Sequence, residues 1–148
     1  MRGTTMQVRA TALSLNVADE AASAEFAKTH LGFTEAMSAD GFVSLQHPDA
    51  GINVIFLRTG LGTFKPAEIA SSAGQGMLLA FVVDDIDAEY ARMTAAGARV
   101  ISAPATEPWG ERYCQFADPN GIVWQLVTWV TRADSDSSQT IPDHVFRS

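Results

Sequence analysis

Short apolar runs alternate with two amphipathic stretches along the chain, and the order of these segments occurs twice. ATALSLNV, over 10–17, is apolar, brief and bounded by polar residues, so it reads as a strand. Asp19 stands where a side-chain oxygen accepts a backbone N–H at a helix start, and EAASAEFAKTH follows as that helix. Gly32 suits the left-handed position beyond a helix C-terminus. FTEAMSA, FVSLQ and INVIFLR then read as three strands, parted by a turn at Gly41 and by the HPDAG turn.

The second half repeats this order. MLLAFVV reads as a strand, and Asp84 and Asp85 supply carboxylates near the positive end of the dipole of the helix IDAEYARMTAA. Gly97 ends that helix. ARVISAP, ERYCQFA and IVWQLVTWV are the three further strands, with DPNG as the turn between the last two. The pattern predicts an α+β fold of two βαβββ modules, at 10–58 and 77–130. Each module closes on a hairpin, LQHPDAGINVIFL in the first and QFADPNGIVWQL in the second. Residues 59–76 read as a linker, with PAEIAS as a helical turn opened by its proline. Residues 1–9 read as an extended or disordered start. Residues 131–148 read as a polar tail, whose IPDHVF portion is a candidate for docking on a partner subunit.

With 148 residues, 47% hydrophobic and 18% charged, the chain has the composition of one globular domain. A net charge of -7 argues against nucleic acid as a partner, since it offers no way to neutralise a row of phosphates. A single cysteine, Cys114, rules out a disulfide within the chain, and its place inside a strand reads as a buried, inert thiol. No apolar run approaches the ~20 residues needed to span a bilayer, and the start lacks the apolar core of a signal peptide, so a cytoplasmic protein is expected.

LSLNVAD before the first helix, LGF after it, FVVDDID before the second, and PWGERYCQFADPNGIVWQL near the end carry a further signal. This combination resembles the glyoxalase, bleomycin-resistance and extradiol-dioxygenase superfamily, the vicinal oxygen chelate proteins, over about 10–130. The resemblance implies two curled sheets forming a concave cleft, with helices outside. It also implies metal-ligand positions on the first and last strand of each module, which fall here at Ala12, Ile55, Leu78 and Gln125. Three of these have no donor atom, and one neutral amide cannot replace imidazoles and carboxylates around a divalent ion. His30, His47 and His144 fall at a helix end, in a turn and in the tail, and are expected to be solvated. The expectation is a site with no metal and no cofactor.

Strand side chains alternate faces. Family geometry puts Tyr113, Gln115 and Gln125 on the cleft face with Val123 and Val127, and turns Cys114 and Phe116 to the helices. The internal repeat matches Phe42 and Ser44 to Tyr113 and Gln115, and places Asn53 beside Ile55; Leu78 joins them from the first strand of module two. Two readings stand for Trp109 in the PWG loop: it overhangs the cleft mouth, or it packs on the domain's own core. Tyr113 either stacks on a ligand or completes the core. Trp124 has core parity, and Trp129 lies at a strand end suited to a dimer contact or to the tail.

Two function classes follow. One is a metal-free binding protein of the bleomycin-resistance type, a homodimer sequestering an aromatic or amphipathic metabolite or antibiotic. Its ligand wall is Phe42, Ser44, Asn53, Ile55, Leu78, Trp109, Tyr113, Gln115 and Gln125. The other is a metal-independent enzyme of the same fold, an isomerase, epimerase or lyase, using Glu111, Tyr113 or Gln115 for proton transfer or polarisation. The cleft shows no paired carboxylates and no Cys-His pair for such work.

Overall fold

The computed structural model describes residues 6–61 and 77–130. The expectations for the start up to residue 5, the PAEIAS turn and the C-terminal tail therefore lie outside the described residues.

Both predicted helices form. Asp19 caps α1 (Glu20–His30) by accepting the Ala22 N–H at 3.1 Å, and Asp85 caps α2 (Ile86–Ala95) by accepting the Ala88 N–H at 3.1 Å. Beyond α1, Gly32 takes φ +80, and a Cβ there would lie 3.1 Å from His47 Nε2, so the position is closed to a side chain on two counts.

The first half supplies β1 (Ala12–Val17), β2 (Thr34–Ala39), β3 (Phe42–Gln46) and β4 (Asn53–Arg58). The second supplies β5 (Leu78–Val82), β6 (Arg99–Thr106), β7 (Glu111–Ala117) and β8 (Val123–Trp129). They form two mixed four-stranded sheets, ordered β1-β4-β3-β2 and β5-β8-β7-β6. In each, the strand before the helix pairs in parallel with the module's last strand, and the other pairs are antiparallel. The fold is thus α+β and internally repeated, as the hydrophobic pattern predicts. No helix among the described residues is long and apolar enough to cross a membrane.

Helix α1 packs on β1, β3 and β4, and α2 packs on β6, β7 and β8. The helix-facing side chains Leu15, Val17, Val43, Leu45, Val54 and Phe56, with Cys114, Phe116, Trp124 and Leu126, are all buried. Trp124, 0% exposed, joins the halves: it stacks on Phe81 (5.9 Å between centroids) and meets Phe33 and Phe56 at 6.3 and 6.5 Å. Its core parity is confirmed.

A polar bolt accompanies this apolar joint. Asp118 of the DPNG turn accepts the Ser23 hydroxyl of α1 at 2.9 Å. Asn120 donates to the Asp19 carbonyl and the Ser23 hydroxyl, and accepts the Asp19 N–H. The turn that closes module two therefore docks on the start of the helix of module one.

One expectation is corrected. His30 is 8% exposed rather than solvated, because the last turn of α1 tucks between the modules: its ring lies 4.8 Å from Phe26 and its carbonyl accepts Arg92 Nη2 at 2.7 Å. Burial, and then the nearby Arg92 charge, hold its pKa below the ordinary value. His47 lies in its turn, half-buried against Phe33.

Candidate functional site

The faces turned away from the helices carry the predicted site residues, and pairing registers fix which of them meet. In module one, Ser44 and Ser14 flank Ile55 on the neighbouring strands, Phe42 pairs with Leu57, and Asn53 pairs with Ala12. In module two, Gln115 and Ala80 flank Gln125, Tyr113 and Val82 flank Val127, and Leu78 pairs with Val123. Among the described residues, no hydrogen bond or ring contact joins Phe42, Ser44, Asn53 or Ile55 to Leu78, Trp109, Tyr113, Gln115 or Gln125. The nine predicted residues thus form two groups: Phe42, Ser44, Asn53 and Ile55 on one sheet, and Leu78, Trp109, Tyr113, Gln115 and Gln125 on or beside the other. Leu78 stands apart within its group, at the start of edge strand β5 and 46% exposed.

Side-chain hydrogen bonds knit most of the second group together. Gln115 Nε2 donates to Gln125 Oε1 at 2.8 Å, and Gln125 Nε2 donates to Glu111 Oε2 at 3.4 Å. Trp109 Nε1 donates to Glu111 Oε1 at 3.2 Å. Trp109 is 41% exposed, so it is not a core side chain. Its loop is pinned to the end of β8 by Val130 N–H on the Gly110 carbonyl, with Gly110 at φ +98 and the Val130 carbonyl 3.0 Å from where a Cβ would stand. Any other residue at 110 would be strained at this φ and crowd the Val130 carbonyl.

Tyr113 makes the core contact that was one of its two expected roles. Its ring packs against the edge of the core, and its hydroxyl donates to Glu107 Oε1 at 3.2 Å. That bond, the Glu107 charge, burial and the Glu111 charge all raise the phenol's pKa, so Tyr113 is a poor source of phenolate. Sequence reasoning missed Glu107. The signal was present in EPWGE, where two carboxylates bracket a tight loop, and the Glu107 N–H meets the Glu111 carbonyl at 2.7 Å. Val127, on the same face, is fully buried and gives the wall an apolar floor. Cys114 points to the helix side, and burial foremost pushes its thiol up to about 11.

Two recesses among the described residues lie elsewhere. One, of about 430 Å³, sits between α1 and the ends of β6 and β7. The other, of about 1260 Å³, runs between the modules along β5 and reaches Ala80, Val82 and Trp129. Neither includes Tyr113, Gln115 or Gln125.

The family model described as Glyoxalase/Bleomycin resistance protein/Dioxygenase superfamily matches residues 9–126. Among solved structures, a glyoxalase/bleomycin resistance protein/dioxygenase from Nocardioides is 28% identical, with a TM-score of 0.70 over 90% of this chain and 92% of that one. TnmS3, an antibiotic binding protein from Streptomyces sp. CB03234, is 23% identical, with a TM-score of 0.66 over 85% of this chain and 99% of its own, a likeness of fold. An uncharacterized protein of Mycobacterium bovis is 36% identical over 69 residues, 47% of this chain and 45% of that protein. The chain spans less than half the length of the curated relatives it matches.

Proposed function

The chain belongs to the glyoxalase, bleomycin resistance protein and dioxygenase superfamily, and from that membership we propose that it is a metal-independent binding protein sequestering an aromatic or amphipathic small molecule, a metabolite or an antibiotic. The observation that carries this reading is the open face of β7 and β8. There an exposed indole, a tyrosine and two glutamines are held by hydrogen bonds to Glu107, to Glu111 and between the glutamines, over an apolar floor. Such a face offers stacking area with a few fixed polar groups, the usual make-up of a small-molecule site. TnmS3 supports the reading in one respect: a protein of this fold binds an antibiotic.

Metal independence rests on the donor set. Ala12, Ile55 and Leu78 have no ligand atom. The residues the registers place beside Ile55 and Gln125, Ser14 and Ala80, add no imidazole or carboxylate. Gln125 is already bonded to Gln115 and Glu111. Among the described residues, no three His, Cys, Asp or Glu side chains gather where they could hold an ion.

The reading includes a homodimer. Neither recess described above encloses the ligand wall of module two, and closed two-fold pairs, in which a second copy covers such a face, are the commonest soluble assembly. Phe42, Ser44, Asn53 and Ile55 of that copy are the complementary wall. The test is a thermal-shift screen against natural products, with recovery of each bound compound and sedimentation of the protein. Binding to the native state raises the melting temperature with the logarithm of ligand concentration over Kd. Unchanged compound, a dimer and no stoichiometric transition metal on elemental analysis are expected. A converted product, or about one metal per chain lost on Gln125→Leu, overturns the reading.

A further inference from the structure

The hydrogen bonds of this face have a common direction. The Trp109 indole N–H points to Glu111, the Tyr113 hydroxyl to Glu107, one Gln115 amide proton to Gln125, and one Gln125 proton to Glu111. Glu111 sets the polarity of the glutamine pair. A carboxylate only accepts, so Gln125 turns its NH2 to Glu111 and its oxygen to Gln115, and Gln115 must then donate. Each amide keeps a second N–H. Against those stand the remaining lone pairs of two carboxylates, those of the Tyr113 oxygen, and Gln115 Oε1, which accepts no hydrogen bond among the described residues.

Among the described residues no cation balances the two carboxylates. Among the described residues neither Glu107 nor Glu111 enters an ion pair. Four of the described basic side chains are engaged elsewhere: Arg112 with Asp87 and Thr106, Arg92 with Glu89 and the His30 carbonyl, Arg58 with Asp40 and Glu20, Lys28 with Glu25 and Glu35, while Arg9 is exposed and enters no ion pair among the described residues. Arg112 also has the opposite parity on β7, on the side of α2. Arg99 pairs with Ala117 at the far end of the β6–β7 ladder. The Glu107 N–H to Glu111 carbonyl bond holds the two acidic residues opposite one another at the mouth of the hairpin, with Trp109 between them in sequence.

Resting on the binding function above, we propose that the ligand is a protonated amine on a planar aromatic body, its ammonium held by Glu107 and Glu111 and its ring lying against Trp109 and Tyr113. An ammonium brings the protons this acceptor-rich face lacks, forms charge-assisted bonds to carboxylates, and is attracted to the face of an indole. A carboxylate could accept only the two spare amide protons and is repelled by Glu107 and Glu111, and a bare arene leaves both carboxylates without a donor.

The test uses three matched probes on the full chain: naphthylmethylamine, naphthylmethanol and naphthoate, titrated at low ionic strength. The readout is the Trp109 indole N–H signal in nitrogen-resolved NMR, identified with Trp109→Phe. The amine is expected to bind about tenfold or more tighter than naphthoate, with the alcohol between, and to weaken as salt is added. Glu107→Gln/Glu111→Gln should reduce the preference to within about threefold. The single variant Glu107→Gln, which retains an acceptor for the Tyr113 hydroxyl, should lower it partway if the double variant fails to fold. Equal shifts of the Trp109 signal by all three probes, or a preference that survives in both variants, overturn the amine assignment and leave the binding face intact. Probes that leave the Trp109 signal unmoved while shifting others overturn both.

Discussion

Asp118→Ala tests whether the DPNG turn is the bolt between the two modules. The carboxylate is 2% exposed and accepts three hydrogen bonds: the Asn120 and Ile122 N–H groups at 2.9 and 3.0 Å, and the Ser23 hydroxyl at 2.9 Å. Each bond to a charged acceptor contributes about 1.5–3 kcal/mol, but removing the side chain also removes the cost of burying its charge. Two turn amides and a fully buried hydroxyl then lose their acceptor. The net loss expected is about 3–5 kcal/mol, since each neutral group left without its acceptor costs about 1–3 kcal/mol and the relieved charge burial offsets part of the sum. For a domain of this size that corresponds to a fall of about 10 °C in melting temperature. Ser23→Ala removes only the inter-module bond and should cost about 1 kcal/mol. The assay is urea unfolding followed by tryptophan fluorescence, with the double variant completing the cycle; a coupling of about 1 kcal/mol or more is expected for groups in contact. An Asp118→Ala loss under about 1 kcal/mol, or strict additivity with Ser23→Ala, refutes the bolt.

The buried His30 predicts an acid-side loss of stability. Its folded pKa lies below the ordinary 6.5, so the unfolded chain binds the extra proton. Its contribution is full above about 6.5 and is lost as pH falls through the depressed folded value; His30→Leu should flatten that part of the stability profile, and an unchanged slope contradicts the burial argument. Cys114, with its thiol pushed up to about 11 and fully buried, should resist iodoacetamide at mildly alkaline pH until the protein unfolds. Rapid alkylation of the native chain would show that β7 opens to solvent.

Much of this fold was legible in the pattern of apolar and polar residues. Asp19, Asp85, Gly32 and Gly97 punctuate the helices, and period-two alternation, with the face fixed by the family resemblance, gave Cys114, Phe116 and Trp124 to the core and Tyr113, Gln115 and Gln125 to the open face. Such features are local, and local chemistry decides them. What depended on distant packing was not legible. His30 looked like a polar helix end, and only the approach of α2, with Arg92 on its carbonyl, buries it. Glu107 lies in the PWG loop region, where alternation does not specify direction, so its bond to Tyr113 needed the β6–β7 hairpin geometry. The DPNG motif was visible as a turn, yet its contact with Ser23 spans nearly the whole domain.

Isothermal titration of Trp109→Ala beside the wild-type chain, with a compound retained in the natural-product screen, tests the binding face most directly. The indole is exposed, hydrogen-bonded only to Glu111, and outside the core, so its loss should leave the melting temperature within a few degrees. Affinity should fall by about tenfold or more, as expected for an aromatic side chain that stacks on a ligand. Unchanged affinity, with or without a lower melting temperature, would contradict the assignment of the ligand to the open face of β7 and β8.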